Sequence, residues 1–244
     1  MSMRICLMLF LLCLYAFPAV AESRSLDVET ASRVLGSLVD RVHGVRESEV
    51  PGLYVVEIEK DGQKVPVFLD AAGQYLISGN VIRLSDMTNL TQQYHAELNR
   101  IDISRIPLED TLLLGSPSAT TKAIVFTDPQ CPFCSKLHAE LQKVVARDPE
   151  IAFYIKMFPL KMHPEAYDIS RSIVCTQSME LLEKAFAGQP VPEADCDTKA
   201  VDATLDLVGQ LGIRSTPTLV LPDGRVVPGF KKAEELLLML GSRK

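Results

Sequence analysis

Two cysteines spaced by a Pro-Phe pair, Cys131-Pro132-Phe133-Cys134, follow the apolar run Lys122 to Asp128 and open an amphipathic stretch. No other feature constrains the chain as much. Cys134, Leu137, Leu141, Val144 and Val145 fall on one face of a 3.6-residue helix. Cys131 then stands at the helix N-terminus, where unpaired backbone N–H groups and the positive end of the dipole favour a thiolate, the form that attacks a disulfide. Pro132 suits the first helical turn, where its missing N–H costs nothing. A lone CxxC could equally be half of a zinc site. A strand before it and a helix after it make the setting of a redox dithiol.

The compartment is read from the other end of the chain. Arg4 supplies a positive start, Ile5 to Phe17 an apolar core, and Ala19-Val20-Ala21 a small-residue cleavage pattern, so residues 1–21 read as a secretory signal peptide. The apolar run is shorter than the roughly 20 residues a spanning helix needs. Cys6 and Cys13 leave with that segment, and the mature chain keeps Cys131, Cys134, Cys175 and Cys196. An even number of cysteines in an exported protein implies disulfide chemistry. Losing Arg4 makes a chain of net charge −6 more acidic still, which does not suggest nucleic acid or anionic lipid as a partner.

The remaining residues, with 47% hydrophobic content over the whole chain, fit one large domain or two small ones, and the pattern favours two. Residues 25–43 read as a short helix. Leu53 to Glu59, Lys64 to Leu69 and Gln74 to Ser78 then read as three strands separated by the turn-like Lys60-Asp61-Gly62-Gln63 and Asp70-Ala71-Ala72-Gly73. This predicts a small β-meander with one helix over residues 22–85. So small a unit is marginal alone and has sheet edges to cover, so it is expected to pair with a second copy. Residues 86–107 carry Leu90, Tyr94, Leu98 and Ile101 in a narrow stripe and read as a helical linker. A helix of roughly 15 residues would span about 22 Å and hold two domains apart; an ordinary core helix is the alternative.

Residues 108–244 read as strand (Thr111 to Leu114), strand (Lys122 to Asp128), helix (Cys134 to Arg147), strand (Ile151 to Phe158), a helical region, a hairpin about Pro222-Asp223-Gly224, and a final helix from Lys231 to Leu240. Strand–helix–strand followed by hairpin–helix is the thioredoxin order, with residues 159–212 as a helical insertion. The fold class is thus α+β or α/β: an amino-terminal meander, a helical linker and a thioredoxin-like domain. Thr216-Pro217 places a proline at the entry to a strand, which is awkward unless it occupies a special turn such as a cis peptide bond. By fold analogy that proline faces the dithiol and Thr216 offers backbone groups to an extended substrate.

Phe126-Thr127-Asp128, the dithiol, Lys136-Leu137-His138, the Cys175 and Cys196 pair, Thr216-Pro217 and Val227-Pro228-Gly229-Phe230 together resemble the DsbC and DsbG disulfide isomerases, and the resemblance covers nearly all the mature chain. It implies a periplasmic V-shaped homodimer, paired through its amino-terminal domains and kept reduced by a DsbD-like membrane thiol reductase. Its substrates would be misoxidised exported proteins. It also implies Cys131 as nucleophile, Cys134 as resolving thiol and Pro217 as the cis-proline, with no cofactor. The Pro-Phe pair here is unlike the Gly-Tyr of DsbC and closer to the Pro-Tyr of DsbG. Two other activities stand beside isomerisation: DsbG-like reduction of sulfenylated cysteines, and a cleft-binding holdase chaperone with secondary redox activity.

Cys175 and Cys196 lie away from helix N-termini that would activate a thiol and read as a structural disulfide, a second redox pair being the competing reading. His43, His95, His138 and His163 show no ligand spacing, and a zinc site on the dithiol would lack two ligands, so no metal is expected. His138, four residues beyond Cys134 on the same helix face, reads first as a surface or packing imidazole and second as an influence on the dithiol, and His163 has no assigned role. Met157, Phe158 and Met162 read first as core and second as a substrate surface.

Overall fold

The computed structural model describes residues 25–193 and 195–242. The signal-peptide expectation for residues 1–21, with Cys6 and Cys13, lies outside them. The chain divides into two compact units, one reaching Glu59 and including Val67–Ser78, the other made of Lys60–Pro66 and the chain from Gly79 onward. Among the described residues no helix is long and apolar enough to cross a membrane.

In the first unit, helix α1 (Val28–Leu35) starts where the Asp27 carboxylate accepts from the Thr30 N–H at 2.7 Å, and it buries Ala31 and Leu35. It stops where Gly36 takes φ +48°. The sequence pattern extends this helix to residue 43; instead Arg41–Glu47 is a strand, β1. Leu38, Val39 and Val42 fit either period, and a bulge between Val42 and Gly44 breaks the alternation that would have marked the strand. β1 pairs antiparallel with β2 (Leu53–Lys60), from Arg41 opposite Glu59 to Glu47 opposite Tyr54. β3 (Gln63–Asp70) and β4 (Leu76–Ile77) complete a four-stranded sheet in the order β1-β2-β3-β4. Asp61 and Gly62, at φ 51° and 70°, make the two-residue turn between β2 and β3. The meander therefore has one strand more than the sequence pattern showed.

In the second unit, β5 (Ile82–Arg83) and β6 (Thr88–Asn89) form a small hairpin that leads into α2 (Leu90–Leu98). The predicted helix of roughly 15 residues is thus a helix of 9. Its caps set the limits. The Asn89 side chain accepts from the Gln92 N–H at 3.0 Å, and beyond the C-cap Asn99 the chain turns away to give the Ile101 N–H to the Gly224 carbonyl at 2.8 Å. Gly224, at φ +84°, leaves no room there: a Cβ would collide with the Ile101 carbonyl oxygen.

A five-stranded sheet organises the rest, in the order β11-β10-β8-β9-β7. Its strands are β7 (Leu112–Leu114), β8 (Thr121–Thr127), β9 (Ile151–Met157), β10 (Thr218–Val220) and β11 (Val226–Pro228). β8 and β9 are parallel and the other pairs antiparallel. The parallel pair is joined through α3 (Pro132–Arg147), because parallel neighbours need a crossover. α4 (Ala166–Thr176), α5 (Met179–Phe186) and α6 (Ala200–Gln210) follow β9, and α7 (Ala233–Met239) ends the unit. Alternation along β8 splits the core between two faces. Ala123 and Val125 pack with Leu137, Leu141 and Val144 of α3, while Ile124 and Phe126 pack with Ile106, Phe158 and Val208 of α6.

Cys175 of α4 is bonded to Cys196, their Cα atoms 5.9 Å apart and 21 positions apart in the chain. Closing a loop of that size removes chain entropy from the unfolded state, a contribution of roughly 3 kcal/mol. The Cys175→Ala/Cys196→Ala double variant is expected to lose about that much stability in denaturant unfolding while Cys131 keeps its reactivity towards a disulfide probe. Lost reactivity in the folded variant would contradict a purely structural bond.

Candidate active site

β8 ends at Thr127, and the chain turns through Asp128 and Gln130 to place Cys131 as the N-cap of α3, with Pro132 at the first helical position. The Cys134 and Ser135 N–H groups donate to the Cys131 carbonyl at 3.0 and 3.2 Å, fixing the first turn. Cys131 and Cys134 are free thiols, 6% and 1% exposed. Cys131 Sγ donates to the Thr216 carbonyl at 3.7 Å, and the Thr216–Pro217 peptide is cis. The structure thus brings Cys131, Cys134, Thr216 and Pro217 together. Thr216 Oγ1 is buried there with no hydrogen-bond partner.

The two thiols differ in surroundings. Burial pushes the Cys134 thiol up to about 12, and hydrogen bonding from the Thr127 side chain and from the Asp128 N–H, 3.4 Å from its sulfur, opposes that only in part. At neutral pH Cys134 is therefore a thiol. Phe133, between the two cysteines in sequence, is 58% exposed with the Lys136 ammonium 5.4 Å from its ring centroid.

Asp128 and His163 are members of the site that sequence reasoning did not assign. Asp128 is fully buried; Oδ1 accepts from the Gln130 N–H at 2.7 Å, and Oδ2 accepts from the Leu160 N–H at 2.7 Å and from His163 Nδ1 at 2.8 Å. The available signal was an acidic residue at the carboxyl end of a buried strand, immediately before a helix N-terminus. His163 gave none, being 35 positions from its partner.

The other histidines do other things. His138 packs against Phe186 at 5.5 Å and lies 3.4 Å from Glu183; burial lowers its pKa and Glu183 counters. His43 meets Glu59 at 2.8 Å. Burial lowers the pKa of His95. Among the described residues no group of three His, Cys, Asp or Glu side chains is placed to hold a metal ion. Met157 and Phe158 are core, whereas Met162 is 76% exposed.

Comparison with known proteins agrees with this architecture. Residues 116–244 match the family model of a thioredoxin-like domain, and residues 33–92 that of the disulfide bond isomerase protein N-terminal domain. The thiol:disulfide interchange protein DsbC of Dickeya dadantii is 26% identical over 238 residues, covering 97% of this chain and 94% of the relative. DsbC of Escherichia coli K12 is 25% identical over 234 residues, covering 94% of this chain and 92% of the relative. Among solved structures, a disulfide interchange protein from Neisseria gonorrhoeae is 28% identical with a TM-score of 0.48, over 57% of this chain and 100% of that one. Fold and homology together define a thiol–disulfide oxidoreductase. The chain belongs to the thioredoxin-like family, and it carries the N-terminal domain of the disulfide bond isomerase proteins, with DsbC proteins as relatives over most of its length.

The burial of Cys134 has a consequence for stability. The folded protein holds this proton up to pH about 12, whereas an unfolded chain releases it from the ordinary value of 9.0. The contribution is fully present below the unfolded value and is lost as pH rises towards the folded one, at about 1.4 kcal/mol per pH unit. The reduced protein should therefore lose more stability between about pH 8 and about pH 10.5 than Cys134→Ala does. Equal pH slopes in denaturant unfolding would contradict this.

Proposed function

We propose that the chain isomerises or reduces wrongly formed disulfides in exported proteins through Cys131 and Cys134, working in the periplasm. The observation that carries the reading is the pairing of Cys131 Sγ, at the α3 N-terminus and 3.7 Å from the Thr216 carbonyl, with a Cys134 held protonated beside it. Cys131 acts as nucleophile: its thiolate attacks a substrate disulfide, forms a mixed disulfide and releases one substrate thiolate. Thr216 and Pro217 bind the substrate segment, the Thr216 backbone lying beside the Cys131 sulfur. Two exits follow. A substrate thiolate displaces Cys131, which is isomerisation, or Cys134 gives up its proton and displaces the substrate, which is net reduction and leaves Cys131–Cys134 oxidised. The second exit requires a reducing partner, a DsbD-like membrane thiol reductase.

Residues 22–85 act as the dimerisation domain, 86–107 as the linker and 108–244 as the catalytic domain, with the insertion at 159–212. Support for pairing comes from the short edge strand β4, whose Leu76 and Ile77 are exposed, as is Tyr75 just before it. Reduction of sulfenylated cysteines is the second reading, favoured by a Pro-Phe pair that is nearer the Pro-Tyr of DsbG than the Gly-Tyr of DsbC.

Cys131→Ser should lose the ability to refold a scrambled multi-disulfide protein in a glutathione buffer, and retained activity there would sink the assignment. Light scattering should give the mass of two chains for the wild type and of one for Leu76→Lys. A monomeric wild type would contradict the dimer.

A further inference from the structure

The loop that carries the chain from β8 to Cys131 is gripped by the segment that follows β9. The Phe158 N–H donates to the Thr127 carbonyl at 2.7 Å, the Leu160 N–H and His163 Nδ1 both reach Asp128 Oδ2, and Gln130 Nε2 donates to Glu165 Oε2 at 3.2 Å. Asp128 is at the centre of this grip, and its own N–H points at Cys134 Sγ. A buried carboxylate beside a sulfur that must become a thiolate works against that ionisation unless donors take up its charge. His163, with its side chain 20% exposed, is the side-chain donor to that carboxylate, its Nδ1 2.8 Å from Oδ2.

We propose that His163 is a positioning residue for the resolving thiol. It acts through Asp128, donating to the carboxylate and orienting it so that the Asp128 N–H stays aimed at Cys134 Sγ and the Cys134 thiolate can form. The inference rests on the reading of Cys131 and Cys134 as the reactive dithiol. The titratable groups about Cys134 are Cys131 on its own helix and Asp128 from the end of β8; Thr127 and Thr216 bring only uncharged groups, and His163 and Glu165, from the segment after β9, reach Asp128 and Gln130.

The step affected begins from the mixed disulfide on Cys131. Cys134 releases its proton to solvent, its sulfur forms the bond to Cys131 Sγ, and the electron pair of the broken bond leaves with the departing sulfur as a thiolate. The dithiol is oxidised by two electrons and the incoming disulfide is reduced by two. Slower resolution lengthens the life of the mixed disulfide and so favours isomerisation over net reduction.

Rapid mixing with dithiobis-nitrobenzoate separates the two steps. Cys131 releases the first aromatic thiolate and Cys134 the second. His163→Ala should leave the first phase unchanged and slow the second by about tenfold, the size of one charge-assisted hydrogen bond partly lost. His163→Asn, whose amide can donate where Nδ1 does, should recover most of that loss. His163→Leu keeps the bulk without a donor and reads the same ratio of phases should the alanine variant fail to fold. An unchanged ratio in the donorless variants, or no recovery in His163→Asn, overturns the role. A first phase that survives in Cys131→Ser would instead defeat the dithiol reading itself.

Discussion

Parallel pairing of β8 with β9, from Thr121 opposite Ile151 to Thr127 opposite Met157, cannot be closed by a tight turn. The chain crosses over through α3, whose Leu137, Leu141 and Val144 bury against the sheet. A crossover helix packed this way begins at the carboxyl end of the strand before it, so its N-terminus opens at the edge of the sheet rather than inside it. Cys131 occupies that point. β10, antiparallel to β8 with Thr218 opposite Phe126, starts at the same end and brings Thr216 and Pro217 alongside. The site is a product of strand direction.

Within that frame the two thiols sit in different environments. Cys134 lies one helical turn deeper, 1% exposed, and burial holds its proton to about 12. Cys131 is at the helix N-terminus, facing the Thr216 carbonyl. Burial and helix position thus separate the two thiols, and the Asp128 N–H is one of the contacts to the deeper sulfur. Asp128 in turn depends on the segment after β9, which ties the loop before the dithiol to the helical region that follows.

Much of this was legible because the relevant signals are local. The apolar spacing of Leu137, Leu141 and Val144 marks α3, and a helix start after an apolar strand marks the special position of Cys131. Where the signal is not periodic, sequence reading goes astray. β1 hides behind the bulge at Val42 and Gly44 and a polar composition. α2 is shorter than its apolar stripe because Asn89 and Asn99 cap it, and caps outweigh a weak stripe. The Asp128–His163 contact was not legible at all: it spans 35 positions and forms only after the parallel pair brings the ends of β8 and β9 side by side.

The central claim is that Cys131 alone attacks while Cys134 waits. Its most direct test is to mix Cys134→Ser with a disulfide-bonded substrate protein, quench with acid, and map the trapped species by peptide mass. The account predicts one mixed disulfide per chain, on Cys131, with Cys175 and Cys196 still joined to each other. A substrate linked through Cys175 or Cys196, or no trapped species from a folded variant, would contradict it.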